Sequence, residues 1–252
     1  MNFDNIIIES VVKIRSSQPK IGVRKLHKKL KEILTNISIG RDYLFKLLKK
    51  SNMLVNKPKR NNSYNYKVKK ENSYAKYVMN MIEIRKPGQV IASDITYLPK
   101  GISGHFYLHL CVDIFSRSIV GWNLSKTLEA KHSIKALQMG LKTLKKNKIF
   151  TKGWIHHSDR GSQYNSYDYC DEIEKNKGYR SMTIGGAPYQ NAIVERINGI
   201  LKQEFLLRIL PNNYKEVLSQ VKKAIDTYNY ERFHWSLNLK TPMDILTQKL
   251  ST

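Results

Sequence analysis

The sequence is poor in cysteine and has no long apolar run. Its only cysteines, Cys111 and Cys170, stand far apart and form no CxxC pair, which argues against a disulfide framework or a tetrahedral zinc site. We expect both to be buried free thiols. No apolar stretch approaches the roughly 20 residues that span a bilayer. The N-terminus also lacks the basic start of a signal peptide, so we expect no membrane partner and a cytoplasmic location.

Acidic residues are also scarce. The chain carries 44 Lys and Arg against 20 Asp and Glu, a net charge of +24. Such an excess favours a polyanionic partner, and nucleic acid is the first expectation. The charge is uneven: residues 1–88 hold 21 basic and 6 acidic side chains, a net of +15, whereas residues 89–252 hold 23 and 14, a net of +9. This change in composition predicts a boundary between two regions.

The first region has helical periodicity. Val23, Leu26, Leu30 and Leu34 recur at helical spacing, and Ser38 is the predicted N-cap of a further helix through Leu48. Two short helices joined by residues 35–37 suggest a helix-turn-helix DNA-binding region over residues 1–55. Residues 56–86 are predicted to be a basic linker. The expected DNA contacts in these two regions are Arg24, Lys25, Lys57, Lys59 and Arg60.

Residues 87–252 have the pattern of a mixed α/β domain. Three strand-like runs at 90–98, 106–115 and 118–124, separated by short turns, predict an antiparallel series. A helix over 129–146, a strand ending at 158, a helix over 167–176, a strand over 179–182 and a helix containing Glu195 follow. This order predicts a mixed sheet with helices on both faces.

Three acids in this domain are candidates for a single metal site. Asp159 ends a strand, Glu195 lies in a helix after a gap of thirty-five residues, and Asp94 lies inside an apolar strand. Grouped without a cation, three carboxylates would repel one another, and Mg²⁺ prefers carboxylate oxygens. Taken alone, each acid is better explained by a salt bridge or a helix cap, because the chain has so many Lys and Arg. Asp113 is the rival for the first position, although the following Ser-Arg favours a structural role in a turn.

Basic side chains near these acids are candidate DNA contacts. Lys202 falls two turns beyond Glu195 on the same helical face, which suits contact with a phosphate beside the metal site. Arg160 and Arg196 each follow one of the acids. The adjacent His156 and His157 must point to opposite faces of a strand, so we expect one to pack inward and the other to line the cleft.

At these residues the chain resembles the integrase-core transposases of bacterial insertion sequences, specifically the downstream-frame product of insertion-sequence family three. The matching motifs are SDITY at 93–97, VDIFSRSIVGW at 112–122, HSDRGSQY at 157–164, NAIVER at 191–196 and YNYERFHWSL at 228–237, closed by Thr-Pro at 241–242. Ile91 departs from the family's usual Trp and Gln190 from its frequent Asp, which bears on local packing.

The resemblance implies a ribonuclease-H-like fold, with Asp94, Asp159 and Glu195 as catalytic metal ligands. We expect two Mg²⁺ ions, with Mn²⁺ as a substitute, and DNA strand cleavage and strand transfer at the ends of an insertion sequence. The implied partners are double-stranded DNA of the terminal repeats and target, further copies of the chain, and an upstream-frame partner or fusion. The alternatives are a structure-selective nuclease and a catalytically silent DNA-binding regulator.

Overall fold

The computed structural model describes residues 3–55, 78–99, 104–149, 152–184 and 187–248. Four helices come first and a five-stranded sheet with further helices follows. The N-terminal helices are α1 (Phe3–Arg15), α2 (Val23–Lys29), α3 (Lys31–Asn36) and α4 (Arg41–Lys50). The strands are β1 (Val90–Pro99), β2 (His105–Asp113), β3 (Ile119–Ser125), β4 (Ile155–Ser158) and β5 (Tyr179–Met182). The remaining helices are α5 (Ala130–Lys146), α6 (Tyr167–Lys175), α7 (Ala192–Glu204), α8 (Tyr214–Tyr230) and α9 (Pro242–Thr247).

The sheet has the strand order β3-β2-β1-β4-β5, so β1 lies in the centre. The pairs β1–β2 and β2–β3 are antiparallel, while β4 runs parallel to both β1 and β5. The predicted antiparallel series and mixed sheet are therefore confirmed. This sheet, covered by helices on both faces, is the ribonuclease-H-like arrangement.

Separate apolar clusters cover the two faces of the sheet because side chains alternate along each strand. Val90 and Ala92 of β1 belong to the cluster that includes α7 and α8, whereas Ile91 belongs to the cluster that includes α5 and α6. None of the helices in the described part of the chain is long and apolar enough to cross a membrane.

The N-terminal helices have a core of their own, to which Ile7, Val11, Leu26 and Leu44 contribute. Helix α1 was not among the predicted elements. The predicted N-cap at Ser38 is wrong: Ser38 has a φ of 54°, whereas an N-cap needs extended backbone. Gly40, with φ −87° and ψ 173°, occupies that position before α4.

The predicted linker is described only at its end. Met79, Ile82 and Ile84 pack against the sheet cluster that includes α7 and α8, and the Val78 backbone N–H donates to Ser181 Oγ at 3.2 Å. Residues 78–86 therefore contact the catalytic domain. The predicted limits 1–55, 56–86 and 87–252 stay a prediction.

Close contact between α5 and β3 requires a glycine at position 121. A Cβ there would overlap the carbonyl oxygen of Ala136 and approach the Gly140 nitrogen to 2.5 Å. A Cβ added to Gly199 of α7, by contrast, would meet nothing within 4 Å. Helix α5 can therefore lie flat on the sheet only while β3 has no side chain at this point.

We predict that Gly121→Ala lowers the free energy of unfolding by about 3 kcal/mol, because backbone must move on both elements. Gly199→Ala is the matched control and should raise it by about 0.5–1 kcal/mol, since alanine costs less helical entropy than glycine. Urea unfolding followed by circular dichroism measures both. Equal effects of the two substitutions would contradict the close packing.

Candidate active site

The centre of the sheet brings two of the predicted acids together. In the parallel β1–β4 pair, Ser93 lies opposite Ser158. Asp94 and Asp159 are the next residues on each chain, and neighbouring strands lie about 4.8 Å apart. The two carboxylates therefore leave adjacent backbones at the same end of β4.

Helix α7 places the third acid over this point. Glu195 lies in the first turn of α7, and Asn198, one turn later on the same face, donates from Nδ2 to Asp94 Oδ2 at 2.6 Å. Val194, Ile197 and Leu201 bury the other side of the helix against the sheet. Packing of the apolar side thus directs the face that contains Glu195 and Asn198 towards β1.

The three carboxylates interact electrostatically. Burial and the charges of Asp159 and Glu195 together raise the pKa of Asp94 to about 7, although the hydrogen bonds that it accepts act in the opposite direction. The pKa values of Asp159 and Glu195 are also raised, first by desolvation, and for Glu195 also by Asp159. Ionisation of one carboxylate at this site therefore raises the free energy needed to ionise the next, and a bound cation would offset that cost.

The donor set fits a hard divalent cation. Among the described residues, no group of three or more His, Cys, Asp or Glu side chains is already arranged to hold a metal ion. Mg²⁺ needs only one or two carboxylates and completes its shell with water and phosphate oxygens. Asn191 Oδ1, Asn198 Oδ1 and the Tyr164 hydroxyl are buried without a hydrogen-bond partner in the described chain. These groups lie beside β1 and are suited to hold such waters.

Lys202 also lies within electrostatic reach of Asp94. Burial and the charge of Arg208 lower the pKa of Lys202, while Asp94 acts in the opposite direction. The ammonium group of Lys202 therefore lies within the range of the Asp94 charge.

The other predicted DNA contacts lie in different surroundings. Arg160 Nε donates to the Thr183 carbonyl at 2.8 Å, and Arg196 is exposed. Lys25 lies 3.9 Å from Glu204 at the end of α7, and Arg24 lies over the Trp235 ring. Lys57, Lys59 and Arg60 are outside the described residues.

The N-terminal helices contact the catalytic domain through the basic side of α2. Besides the Lys25–Glu204 pair, Lys29 lies 4.0 Å from Glu231, and Lys28 Nζ lies 4.6 Å from the centre of the Phe233 ring. The backbone N–H of Lys20 also donates to the Glu204 carbonyl. Helix α2 and Lys20 before it therefore contact the C-terminal end of α7.

The expectation that one of the paired histidines lines the cleft is wrong. His156 is 2% exposed and His157 1% exposed. His156 Nε2 lies 2.8 Å from the Tyr169 hydroxyl, and His157 Nδ1 lies 3.1 Å from Ser181 Oγ. They point to opposite faces as expected, but helices cover both faces of β4.

Asp113 has the structural role predicted for it. Its carboxylate is fully buried and accepts from the Ser116 N–H and hydroxyl and from the Gly88 N–H. Cys111 is a buried free thiol as expected. Cys170 is free but only partly buried, so the prediction of a buried thiol is wrong at this position.

Three comparisons with known proteins bear on this site. Models of the integrase core domain match residues 84–188 and 179–242. The 31 kDa protein of insertion element IS600 from Shigella sonnei is 32% identical over 228 residues, 88% of this chain and 79% of that protein.

The chain belongs to the integrase-core family of insertion-sequence transposases.

Other relatives of this integrase-core chain cover less of it. The transposase of insertion sequence IS904 from Lactococcus lactis is 34% identical over 63% of this chain and 61% of that protein. Transposase InsF of insertion sequence IS3A from Escherichia coli is 38% identical over 47% of this chain. The chain thus spans about three fifths of the length of the Lactococcus protein.

Solved structures support the fold of this family member. A simian T-cell lymphotropic virus intasome chain has a TM-score of 0.55 and 19% identity, over 90% of this chain and 75% of that one. The HTLV-2 integrase catalytic core in complex with magnesium has a TM-score of 0.50 and 22% identity, over 64% and 97%. At these identities the likeness concerns the fold alone.

Sequence reasoning did not assign roles to Asn191, Asn198 and Tyr164. Asn198 stands on the same face as Glu195 in this integrase-core chain, and that spacing was the available signal. Nothing local indicates that Tyr164, five residues after Asp159, turns its hydroxyl towards the acids. That placement depends on its packing against Tyr169.

We predict that Asp94→Asn raises the melting temperature in EDTA, and more so at pH 8 than at pH 5, on either side of its pKa of about 7. The pKa is raised in the folded state. Between the unfolded and folded values the folded protein therefore holds a proton that the unfolded chain has released, and stability falls as pH rises. Asparagine removes that cost.

The exposed Asp226 supplies the control variant, Asp226→Asn. Thermal unfolding at the two pH values measures both. A stabilisation by Asp94→Asn that is the same at both pH values, or is matched by Asp226→Asn, would show that carboxylate repulsion is not the cause.

Proposed function

We propose that this chain catalyses DNA strand cleavage and strand transfer at the ends of an insertion sequence, with Asp94, Asp159 and Glu195 as the catalytic acids. The observation that carries the proposal is the convergence of these acids at the end of the parallel β1–β4 pair and under α7. Family membership supports it, because the IS904 and IS3A relatives are transposases.

The proposed cofactor is a divalent cation, with two Mg²⁺ ions as the expected set and Mn²⁺ as a substitute. The magnesium in the HTLV-2 integrase core supports a divalent ion at such a site. Asp94, Asp159 and Glu195 would hold the ions, which would lower the cost of negative charge on the attacking and leaving oxygens of a phosphodiester.

The chain's own residues position the reacting groups. Asn198 fixes the rotamer of Asp94 through its 2.6 Å hydrogen bond. Lys202, beside Asp94, is placed to hold a phosphate next to the reacting one. The reaction is an in-line displacement by a water or a DNA 3′-hydroxyl, so orientation and charge neutralisation supply most of the rate.

The proposed substrate is double-stranded DNA carrying the element's terminal repeats, together with target DNA. The net charge of +24 supports a polyanionic partner. Copies of the chain would assemble on two DNA ends, and an upstream-frame product would supply a further partner or fusion. The proposed location is the bacterial cytoplasm, at the nucleoid when DNA is bound.

We predict that Glu195→Gln abolishes cleavage and joining, while DNA affinity stays within about twofold, because one metal ligand is lost but no basic side chain. The assay uses DNA ends read from the sequence that flanks the gene, with Mg²⁺, and scores nicked and joined products. Glu216→Gln on the exposed side of α8 is the matched control. Strand joining by Glu195→Gln would overturn the assignment, and nicking without joining by the parent would indicate a nuclease.

We predict that Lys202→Ala reduces joining by more than it reduces binding, and lowers the slope of log affinity against log salt by about one contact. The reason is that one phosphate near the acids loses its cation. Lys223→Ala on the exposed side of α8 is the control. Joining rates equal to the parent across a salt titration would assign Lys202 to the ordinary protein surface.

A further inference from the structure

A cavity of about 400 Å³ lies where the N-terminal helices meet the catalytic domain. Its walls come from α2, α7 and the segment after α8. Ile193, Ile197 and Ile200 of α7 form an apolar side, and Trp235, with 56% of its surface exposed, stands at the rim. The volume falls within the range of small-ligand sites.

Four cationic side chains line the same cavity: Lys25, Arg117, Arg196 and Arg232. Arg232 is neutralised by two hydrogen bonds to Glu204, of 2.8 and 2.7 Å. None of the described residues that line the cavity is acidic. Arg117 Nη1 is buried and has no hydrogen-bond partner in the described chain. A buried guanidinium nitrogen without an acceptor is costly, and an anion in the cavity would supply one.

The surrounding groups respond to this excess of positive charge. Burial and the charge of Arg232 together lower the pKa of Lys25 to about 8, although Glu204 acts in the opposite direction. The pKa of His234 falls to about 3, through burial and then Arg232, Lys25, Arg117 and Arg196. The cavity therefore disfavours further positive charge and favours an anion.

The cavity combines an apolar wall with two cations, Arg117 and Arg196, that do not pair with Glu204, and this combination restricts the class of ligand that can bind. An inorganic anion would make no apolar contact with the isoleucine side chains, and an apolar ligand would leave the arginines without an anionic partner. A nucleotide has both a planar base, which packs on apolar and aromatic side chains, and a phosphate, which binds guanidinium groups.

The cavity and the acids lie on two sides of the same helix. Arg196 lines the cavity and directly follows Glu195 in α7, so the two Cα atoms are about 3.8 Å apart. A DNA strand that passes from the acids around α7 would lead to the cavity.

We propose that this cavity binds one unstacked nucleotide of the DNA strand next to the reacting phosphodiester, with the base against Ile193, Ile197 and Ile200 and the phosphate held by Arg117 and Arg196. The assignment rests on the proposed function, because it takes DNA as the substrate. Lys25 extends the phosphate site from the N-terminal helices, so both parts of the chain contribute to it.

The test measures binding of a 5′-phosphorylated thymidine trinucleotide to the full chain in EDTA, by calorimetry and by tryptophan fluorescence. Trp235 stands at the rim whereas Trp154 is buried, so occupancy should change the fluorescence of Trp235. An abasic trinucleotide and inorganic phosphate are the comparison ligands. We expect the abasic ligand to bind about tenfold more weakly, since a stacked base contributes a factor of this order.

Two variants test the two halves of the site. Ala192→Trp, at the exposed start of α7, fills the cavity without removing a charge, and Arg117→Gln removes the unpartnered guanidinium. Each should weaken trinucleotide binding on the order of tenfold. The control is Lys142→Gln on α5, which packs on the other face of the sheet. This variant also removes one charge, and it should change trinucleotide binding less than twofold.

Circular dichroism checks that each variant is folded. Equal affinity for the normal and abasic trinucleotides, or unchanged binding by a folded Ala192→Trp, would overturn the base site. A loss of trinucleotide affinity in Lys142→Gln equal to that in Arg117→Gln would show that binding depends only on the net charge of the protein. Because no metal is present, failure here differs from failure of strand joining, which concerns the acids.

Discussion

The parallel pairing of β1 with β4 is the constraint on which the site depends. It sets Ser93 beside Ser158, and the next residues are then two carboxylates that repel each other. The strands cannot separate to relieve that repulsion. Behind them, Ser93 Oγ, His156 Nε2 and the Tyr169 hydroxyl form a buried hydrogen-bonded group with distances of 2.8 and 2.9 Å. The two carboxylates are therefore held close together by a rigid part of the molecule.

Helix α7 adds a third acid, Glu195, to this pair of carboxylates. One side of the helix is buried in the sheet core, which fixes its rotation. A second side presents Glu195, Asn198 and Lys202 to Asp94, and a third lines the basic cavity. Its end is joined through Glu204 to Lys25 and Arg232. The same helix thus connects the three acids with the N-terminal region.

The sequence was sufficient for elements whose pattern is local. The five strands and the helices α5 and α6 were predicted to within about two residues, and α7 was predicted without bounds, because alternation and helical spacing are properties of consecutive side chains. The triad was predicted from Asp159 at a strand end, Glu195 in a helix and Asp94 in an apolar strand, and the structure brings the three side chains together.

What could not be predicted depends on residues that are distant in sequence. His157 is buried because the turn before α7 supplies the Gln190 carbonyl at 3.1 Å. Lys25 and Glu204 form an ion pair although they are 179 positions apart in the sequence, and no local pattern predicts this contact. Ser38 was misjudged for another reason: its residue type suits an N-cap, but its backbone is left-handed, and Gly40 takes that position.

Consecutive residues of an α-helix project about 100° apart around its axis. Glu195 and Arg196 therefore face in different directions although they are neighbours, one towards Asp94 and the other towards the cavity. A strand that touches both must turn around the surface of α7 within a nucleotide or two. Duplex DNA, with a persistence length of about 150 base pairs, resists such curvature. For DNA bound as proposed, contact with both faces of this helix would therefore require separation of the two strands at the DNA end.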